Sequence, residues 1–305
     1  MSKYLIVIAG PTGIGKTNLS IEIAKKYNAE ILSCDSRQFF KEMSIGTAVP
    51  TKKELEEVKH HFIQNISIEQ EYSVGKFELD ALKKINEIHN TNEVVVMVGG
   101  SGLYIDAVCR GLDHFPDVPK TLRDELNLKH EKQGIEVLKE QLDALDPEYY
   151  KEVDQANPHR IIRALEICIH TGKTFTSFRK QQQKARQFKT VKLILTRDRE
   201  ELYERINKRV DFMMAQGLLE EAQNLYKHKE NNALQTVGYK ELFAYFDGEW
   251  DLETAILEIK KNTRRYAKRQ MTWYRRDSNS IFFDPSDTGG IVKYIEIQIK
   301  EDKII

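Results

Sequence analysis

Residues 10–17 read GPTGIGKT, a full match to G-x-x-x-x-G-K-[ST], the loop that cradles phosphate groups. Gly10, Gly13 and Gly15 let the backbone curl so that N–H groups converge on an anion, with Pro11, Thr12 and Ile14 between them. Lys16 adds a mobile positive charge, and the Thr17 hydroxyl is placed to ligate Mg²⁺. An ordinary glycine turn needs neither a buried strand before it nor a helix after it. Here both are present. The apolar run Tyr4–Ala9 (YLIVIA) precedes the loop, and Leu19, Ile23 and Tyr27 share one face of a helical stretch over 18–27. That helix turns its N-terminus to the anion, so the chain is expected to bind a polyphosphate group.

A phosphate loop alone does not name the reaction. An ATPase of this architecture ends its central strand in a Mg²⁺-orienting aspartate, whereas residues 93–98 (EVVVMV) run into Gly99, Gly100, Ser101 and Gly102. The available carboxylate is Asp35, at the tip of a strand over 30–34 (EILSC), beside Ser36, Arg37 and Gln38. It can deprotonate an acceptor, acting as general base across from a polyphosphate leaving group; capping the next element is the alternative. Arg199 and Arg205 flank the start of the helix after residues 191–196 (VKLILT) and support such a leaving group. They stand about 120° apart on the helical wheel, so they need not reach one atom.

The elements that must position these groups alternate through the first third. A helix over 73–89 carries Phe77, Leu79, Leu82, Ile85 and Ile88 as its apolar stripe, and the valine run at 94–96 reads as a central parallel strand. The fold class is therefore α/β, a parallel sheet built around the phosphate loop and flanked by helices, with its site at the strand C-termini. After the break at 113–119 (DHFPDVP) the sequence is polar and helical, and an all-helical insertion is expected over 113–189 between core segments 1–112 and 190–305. Asp198 with Glu201 reads as a capping box. A long helix over 251–276 has Leu252, Ile256, Ile259, Thr263, Tyr266, Gln270 and Trp273 as its seam.

The chain has 305 residues, 40% hydrophobic and 31% charged, with formal net charge zero; this is the composition of a globular protein of roughly two domains. The first apolar run is far too short to span a membrane and lacks a cleavage site, so neither span nor signal peptide is expected. Three scattered cysteines, Cys34, Cys109 and Cys168, point to reduced thiols and a cytoplasmic protein. His60-His61 diverge on helix or strand alike, so no histidine metal site is proposed. No clear exposed apolar patch is evident, which points to a monomer. The zero charge hides an asymmetry: residues 160–192 hold nine Lys/Arg against one acid, Glu166, and residues 260–276 hold eight with none. Two basic segments in a neutral chain suggest a polyanion larger than one nucleotide.

Seven further stretches carry a resemblance: DSRQFF (35–40), GTAVPT (46–51), HHFI (60–63), GGSGLY (99–104), RIIRALE (160–166), VGYKEL (237–242) and AKRQMTWYRR (267–276). In order with the phosphate loop, over nearly the whole chain, they resemble the tRNA dimethylallyltransferase family. The resemblance implies transfer of a dimethylallyl group from dimethylallyl diphosphate to N6 of adenosine 37, 3′ of the tRNA anticodon, in a Mg²⁺-assisted reaction. It implies that Thr12 to Thr17 and Arg205, with Arg199 nearby, hold the diphosphate, although this signature is commonly labelled as ATP-binding. It further implies that Asp35, Ser36, Arg37, Gln38, Ser101, Arg123, His159, Arg160, Ile161, Ile162 and Arg163 meet the tRNA, with the helical insertion clasping the anticodon stem-loop. Ser101 replaces a commoner threonine, Phe40 a frequent tyrosine and His159 a usual glutamine. Two other reactions fit parts of the pattern: prenylation of free adenine nucleotides, and phosphoryl transfer by a small-molecule kinase. A free nucleotide needs no such long insertion, and the phosphate loop alone is what favours a kinase.

Overall fold

The structure, a computed structural model, describes residues 2–179 and 184–301. Among these, the strands are β1 Tyr4–Ala9, β2 Ile31–Ser33, β3 His60–His61, β4 Val94–Gly99, β5 Lys189–Leu195 and β6 Phe282–Phe283. They pair in parallel throughout, in the order β3-β2-β4-β1-β5-β6. Helices α1 Lys16–Tyr27, α2 Lys52–Glu57, α3 Val74–Ile88 and α4 Gly102–Arg110 alternate with the first strands. Helices α5 Lys120–Gln133, α6 Ile135–Leu145, α7 Pro147–Glu152 and α8 Pro158–Thr171 follow with no strand among them. Beyond β5 come α9 Arg199–Ala215, α10 Leu218–Leu225, α11 Tyr239–Phe246, α12 Leu252–Tyr274 and α13 Thr288–Glu301.

The valine run is interior, as its composition predicts: β4 pairs with β1 on one side and β2 on the other. β1 is buried along its whole length. Tyr4, Ile6 and Ile8 join Leu19 and Ile23 of α1 and Ile291 and Ile295 of α13. Leu5, Val7 and Ala9 join Phe77, Ala81 and Ile85 of α3 and Ile105 and Val108 of α4. A sheet apolar on both faces needs helices on both, which is what α/β connectivity supplies.

The α3 stripe differs from the expected one. Leu79 is 71% exposed and Ala81 is buried in its place, because a step of two residues turns about 200° around a helix and leaves the stripe. Phe77 is the centre of this face, stacked on Phe39 at 5.2 Å and edge-on to Phe62 at 5.4 Å. Phe77→Ala is expected to destabilise the chain by about 3–5 kcal/mol in chemical denaturation, since the surrounding rings cannot close the hole.

The strand ends that carry chemistry lie side by side. A Cβ on Gly99 would stand 2.5 Å from Cys34 Sγ and 2.8 Å from Cys34 O, so only glycine lets the exit of β4 approach the exit of β2 this closely. Asp198 caps α9, accepting from the N–H groups of Glu200 and Glu201 at 2.8 and 3.2 Å. The expected return bond is missing, because the Glu201 carboxylate pairs with Arg197 instead. The seam of α12 follows the expected spacing, with Asp251 as N-cap and Ala255, Ala267 and Tyr274 added to the buried set.

The chain divides into two compact units, one of residues 1–110 and 185–305, the other Gly111–Lys184. The helical segment expected over 113–189 thus ends earlier. Phe188 is buried with the sheet's second face, Arg186 pairs with Glu78 of α3 at 2.8 Å, and Lys189 already opens β5. The helical unit has its own core of Leu126, Leu138, Leu142, Ile161, Leu165 and neighbours. Lys180, one of the cations counted in its basic segment, lies outside the described residues.

Candidate active site

The phosphate loop follows β1, and Gly15, at φ 107, takes the left-handed backbone that turns the chain into α1. Lys16 Nζ donates to the carbonyls of Gly10 at 3.0 Å and Pro11 at 2.8 Å, so the loop folds around its own cation. Two long-range contacts brace it. Arg205 Nε of α9 donates to Gly13 O at 3.0 Å. Gln270 of α12 accepts from Thr12 N at 3.0 Å and donates to Gly100 O at 2.9 Å, joining the two glycine loops through one buried amide.

Asp35 sits in the turn after β2. Its Oδ1 accepts from Arg37 N at 3.0 Å, and Ser33 Oγ accepts from Asp35 N at 3.4 Å. Ser36 N donates to Ser101 Oγ at 3.1 Å, tying this turn to the exit of β4. Two cavities open here. One, of about 670 Å³, is lined by Ser36, Arg37, Gly46, Tyr266, Arg269 and Gln270 among others. The other, of about 980 Å³, is lined by Gly13, Gly15, Thr17, Ser33, His60 and Arg205 among others. Both volumes lie in the range of ligand sites. Thr12, Lys16, Asp35, Arg209 and Met213 line both. The cation, the carboxylate and a second arginine therefore meet where the two cavities meet.

Burial pushes the Lys16 ammonium down to about 8; Asp35 opposes that fall and Arg209 adds to it. The charged form is full below that pH and is lost above it. Affinity for an organic diphosphate is therefore expected to weaken as pH rises from about 8, by up to about tenfold per unit. Titration calorimetry with dimethylallyl diphosphate from pH 7 to 9.5 checks this; a flat profile would exclude Lys16 as the titrating anion partner. Tyr266 is pushed up to about 12 by burial and then by Asp35, so its hydroxyl keeps its proton beside the carboxylate.

Not every expected site residue faces the cavities: Arg37 lines one and Gln38 the other, whereas Arg199 does not. Arg199 is exposed, its guanidinium 5.2 Å over the ring of Tyr203, and it lines neither cavity; its angular offset from Arg205 is the reason. Arg209, one helical turn after Arg205, lines both cavities instead, and that i, i+4 spacing is the signal in the sequence. Arg37 faces inward, its Nη1 donating to Asn232 O at 2.9 Å and Ala233 O at 3.2 Å. Gln38 is spent on Ser33 Oγ at 3.1 Å and on the carbonyls of Thr47 and Ala48 at 3.2 and 3.0 Å. In the helical unit, Ile161 and Ile162 are buried in the core. Arg123 and Arg163 both pair with Glu166, whose side chain is 1% exposed. His159 and Arg160 are exposed on the first turn of α8.

His61 pairs with Glu30, and His60 Nδ1 lies 2.7 Å from Val58 O. Among the described residues no cluster of His, Cys, Asp or Glu could hold a metal ion by itself, and no helix is long and apolar enough to cross a membrane.

Residues 38–277 match the profile of the IPP transferase family. This chain belongs to that family. The tRNA dimethylallyltransferase of Christiangramia forsetii is 59% identical over 300 residues, covering 98% of this chain and 99% of the relative. That of Flavobacterium johnsoniae is 53% identical, with 98% and 99% covered. Among solved structures, the tRNA isopentenylpyrophosphate transferase of Bacillus halodurans superposes with TM-score 0.72 at 35% identity, covering 99% of this chain and all of the other. A eukaryotic dimethylallyltransferase acting on tRNA gives TM-score 0.81 at 29% identity, covering 99% and 80%. The family's match begins just after Asp35, so the phosphate loop and the carboxylate stand on the geometry above.

Proposed function

We propose that this chain is a tRNA dimethylallyltransferase, moving the dimethylallyl group of dimethylallyl diphosphate to N6 of adenosine 37, 3′ of the anticodon. The observation that carries the reading is the meeting of Lys16, Asp35 and Arg209 at the junction of two cavities. The diphosphate occupies the cavity lined by the phosphate loop, and the adenine enters the other. An adenine in an anticodon loop is stacked, so it must swing out to reach Asp35.

The N6 lone pair forms a bond to C1 of the allylic group as the C1–O bond breaks, and diphosphate leaves with that electron pair. Adenine N6 is a poor nucleophile because its lone pair is delocalised into the ring, and Asp35 accepts its proton as the new bond forms. Loop amides, Lys16, Arg205 and Arg209 stabilise the charge gathering on the leaving oxygens. The Thr17 hydroxyl lines the cavity of the phosphate loop, a single protein donor that fits Mg²⁺ arriving with the diphosphate rather than a metal held by the protein alone. Such an ion, held by Thr17, would supply further charge neutralisation of the diphosphate.

Exposed Arg265, Lys268, Arg269, Arg275 and Arg276 of the α12 region, and Arg160 of α8, supply phosphate contacts on the anticodon stem-loop, so binding weakens with salt. We take the enzyme to act as a monomer in the cytoplasm. Incubation with radiolabelled dimethylallyl diphosphate, Mg²⁺ and unmodified tRNA, with AMP and γ-labelled ATP in parallel, tests the reading. Label at the adenosine after the anticodon is the expected result. Label in AMP alone would move the function to free nucleotides, and phosphate transfer without prenyl transfer would make it a kinase.

A further inference from the structure

Between the two cavities runs a short loop, residues 44–48. Its Gly46 and Thr47 line one cavity, and its Ser44, Ile45 and Ala48 line the other. Its own turn bonds, Ala48 N to Ile45 O at 2.9 Å and Thr47 Oγ1 to Met43 O at 2.7 Å, shape it locally, and Ala48 takes the left-handed backbone, at φ 49. Its anchor comes from α10. Glu221 Oε2 accepts from Ser44 N at 3.0 Å and Ile45 N at 2.8 Å, and Oε1 accepts from Gly46 N at 2.9 Å. Oε1 also accepts from Tyr239 Oη at 2.7 Å. Tyr239 is fully buried, and a Cβ on Gly46 would stand 2.7 Å from its ring. One carboxylate thus gathers three successive backbone donors and one phenol, a concave arrangement that an anion fills.

The opposite edge of the same loop holds the base. Gln38 Nε2 donates to Thr47 O and Ala48 O, and its Oε1 accepts from Ser33 Oγ, which in turn accepts from Asp35 N. Bonds of this kind reinforce one another where they form a connected chain. We propose that Glu221 is a positioning residue for Asp35, holding the 44–48 loop so that the loop, through Gln38, holds the turn that carries the carboxylate. The proposal rests on Asp35 being the base of the reaction above. Glu221 touches no reacting atom; its effect is the placement of a group whose misplacement by one ångström is costly.

Glu221→Gln keeps the shape and places an amide donor against backbone donors. Hydrogen exchange on the full chain is expected to speed up at residues 44–46 and also at residues 35–38, with global unfolding little changed. Transfer of labelled dimethylallyl to tRNA is expected to lose about 10- to 100-fold in kcat while both KM values stay within about twofold. Gln38→Ala should lose a similar factor, and the double variant should lose no more than either single, because both act through one connection. Loosening confined to 44–46, an unchanged kcat, or additive losses would each overturn the proposal. Should Glu221→Gln fail to fold, Glu221→Asp keeps the charge at a shorter reach and is read by the same exchange and cycle. A wild-type chain that labels no tRNA overturns the functional reading instead, and the exchange at 35–38 then decides the coupling alone.

Discussion

Asp35→Ala is expected to lower kcat for prenyl transfer by about 10²–10⁴ while tRNA binding survives. The carboxylate stands where both cavities meet, held by Arg37 N on one oxygen, and no other acid lines both. Alanine leaves the N6 proton without an acceptor other than water, and Asp35→Asn, nearly isosteric, should fail as fully because an amide cannot take the proton. A gel-shift titration of unmodified tRNA beside single-turnover transfer separates the two effects. Turnover within about tenfold of wild type would remove Asp35 as the base. A second consequence runs through Lys16. Asp35 raises the Lys16 pKa against the pull of burial, so its loss lets the ammonium discharge at lower pH. In Asp35→Ala, weakening of diphosphate affinity should begin below pH 8, a shift that damage to the tRNA site alone would not produce.

What the sequence could say, and what it could not, divides by distance along the chain. The phosphate loop was readable because strand, loop and helix are contiguous, and the central place of β4 because a valine run needs cover on both faces. The seam of α12 was readable for the same local reason. Gln270 could be assigned to that seam, but its bonds to Thr12 and Gly100 span 258 and 170 residues, and no spacing rule reaches so far. Glu221 is similar: an ordinary acid on a short helix, given meaning only by three amides some 175 residues earlier. Placement within a short stretch has local causes too. Arg199 is near Arg205 in sequence, but the helix turns it onto the ring of Tyr203 and away from both cavities. Ile161 and Ile162 belong to a contiguous motif, and an amphipathic helix buries one side of any such run. Family resemblance names stretches; burial decides which side chains within them can meet a ligand.

Lys16→Ala should cost about 10²–10³ in kcat and raise KM for dimethylallyl diphosphate, because the lost charge faces oxygens that gain charge as C1–O breaks. Arg209→Ala should cost a comparable factor, since Arg209 lines the same junction. The double variant should fall short of the product, both groups serving one leaving group. Stability separates this from disruption of the loop. Burial holds the Lys16 pKa at about 8, below the usual lysine value, so at pH 7 the folded chain carries a charge it solvates poorly. Removing that charge relieves its burial cost but frees two carbonyl partners, so the Tm of Lys16→Ala at pH 7 is expected to stay close to that of wild type. A large fall in Tm alongside the fall in kcat would mean that Lys16 holds the loop together rather than the diphosphate. The expected pattern, a slower enzyme of nearly unchanged stability, is that of a cation kept under the loop for the anion it meets.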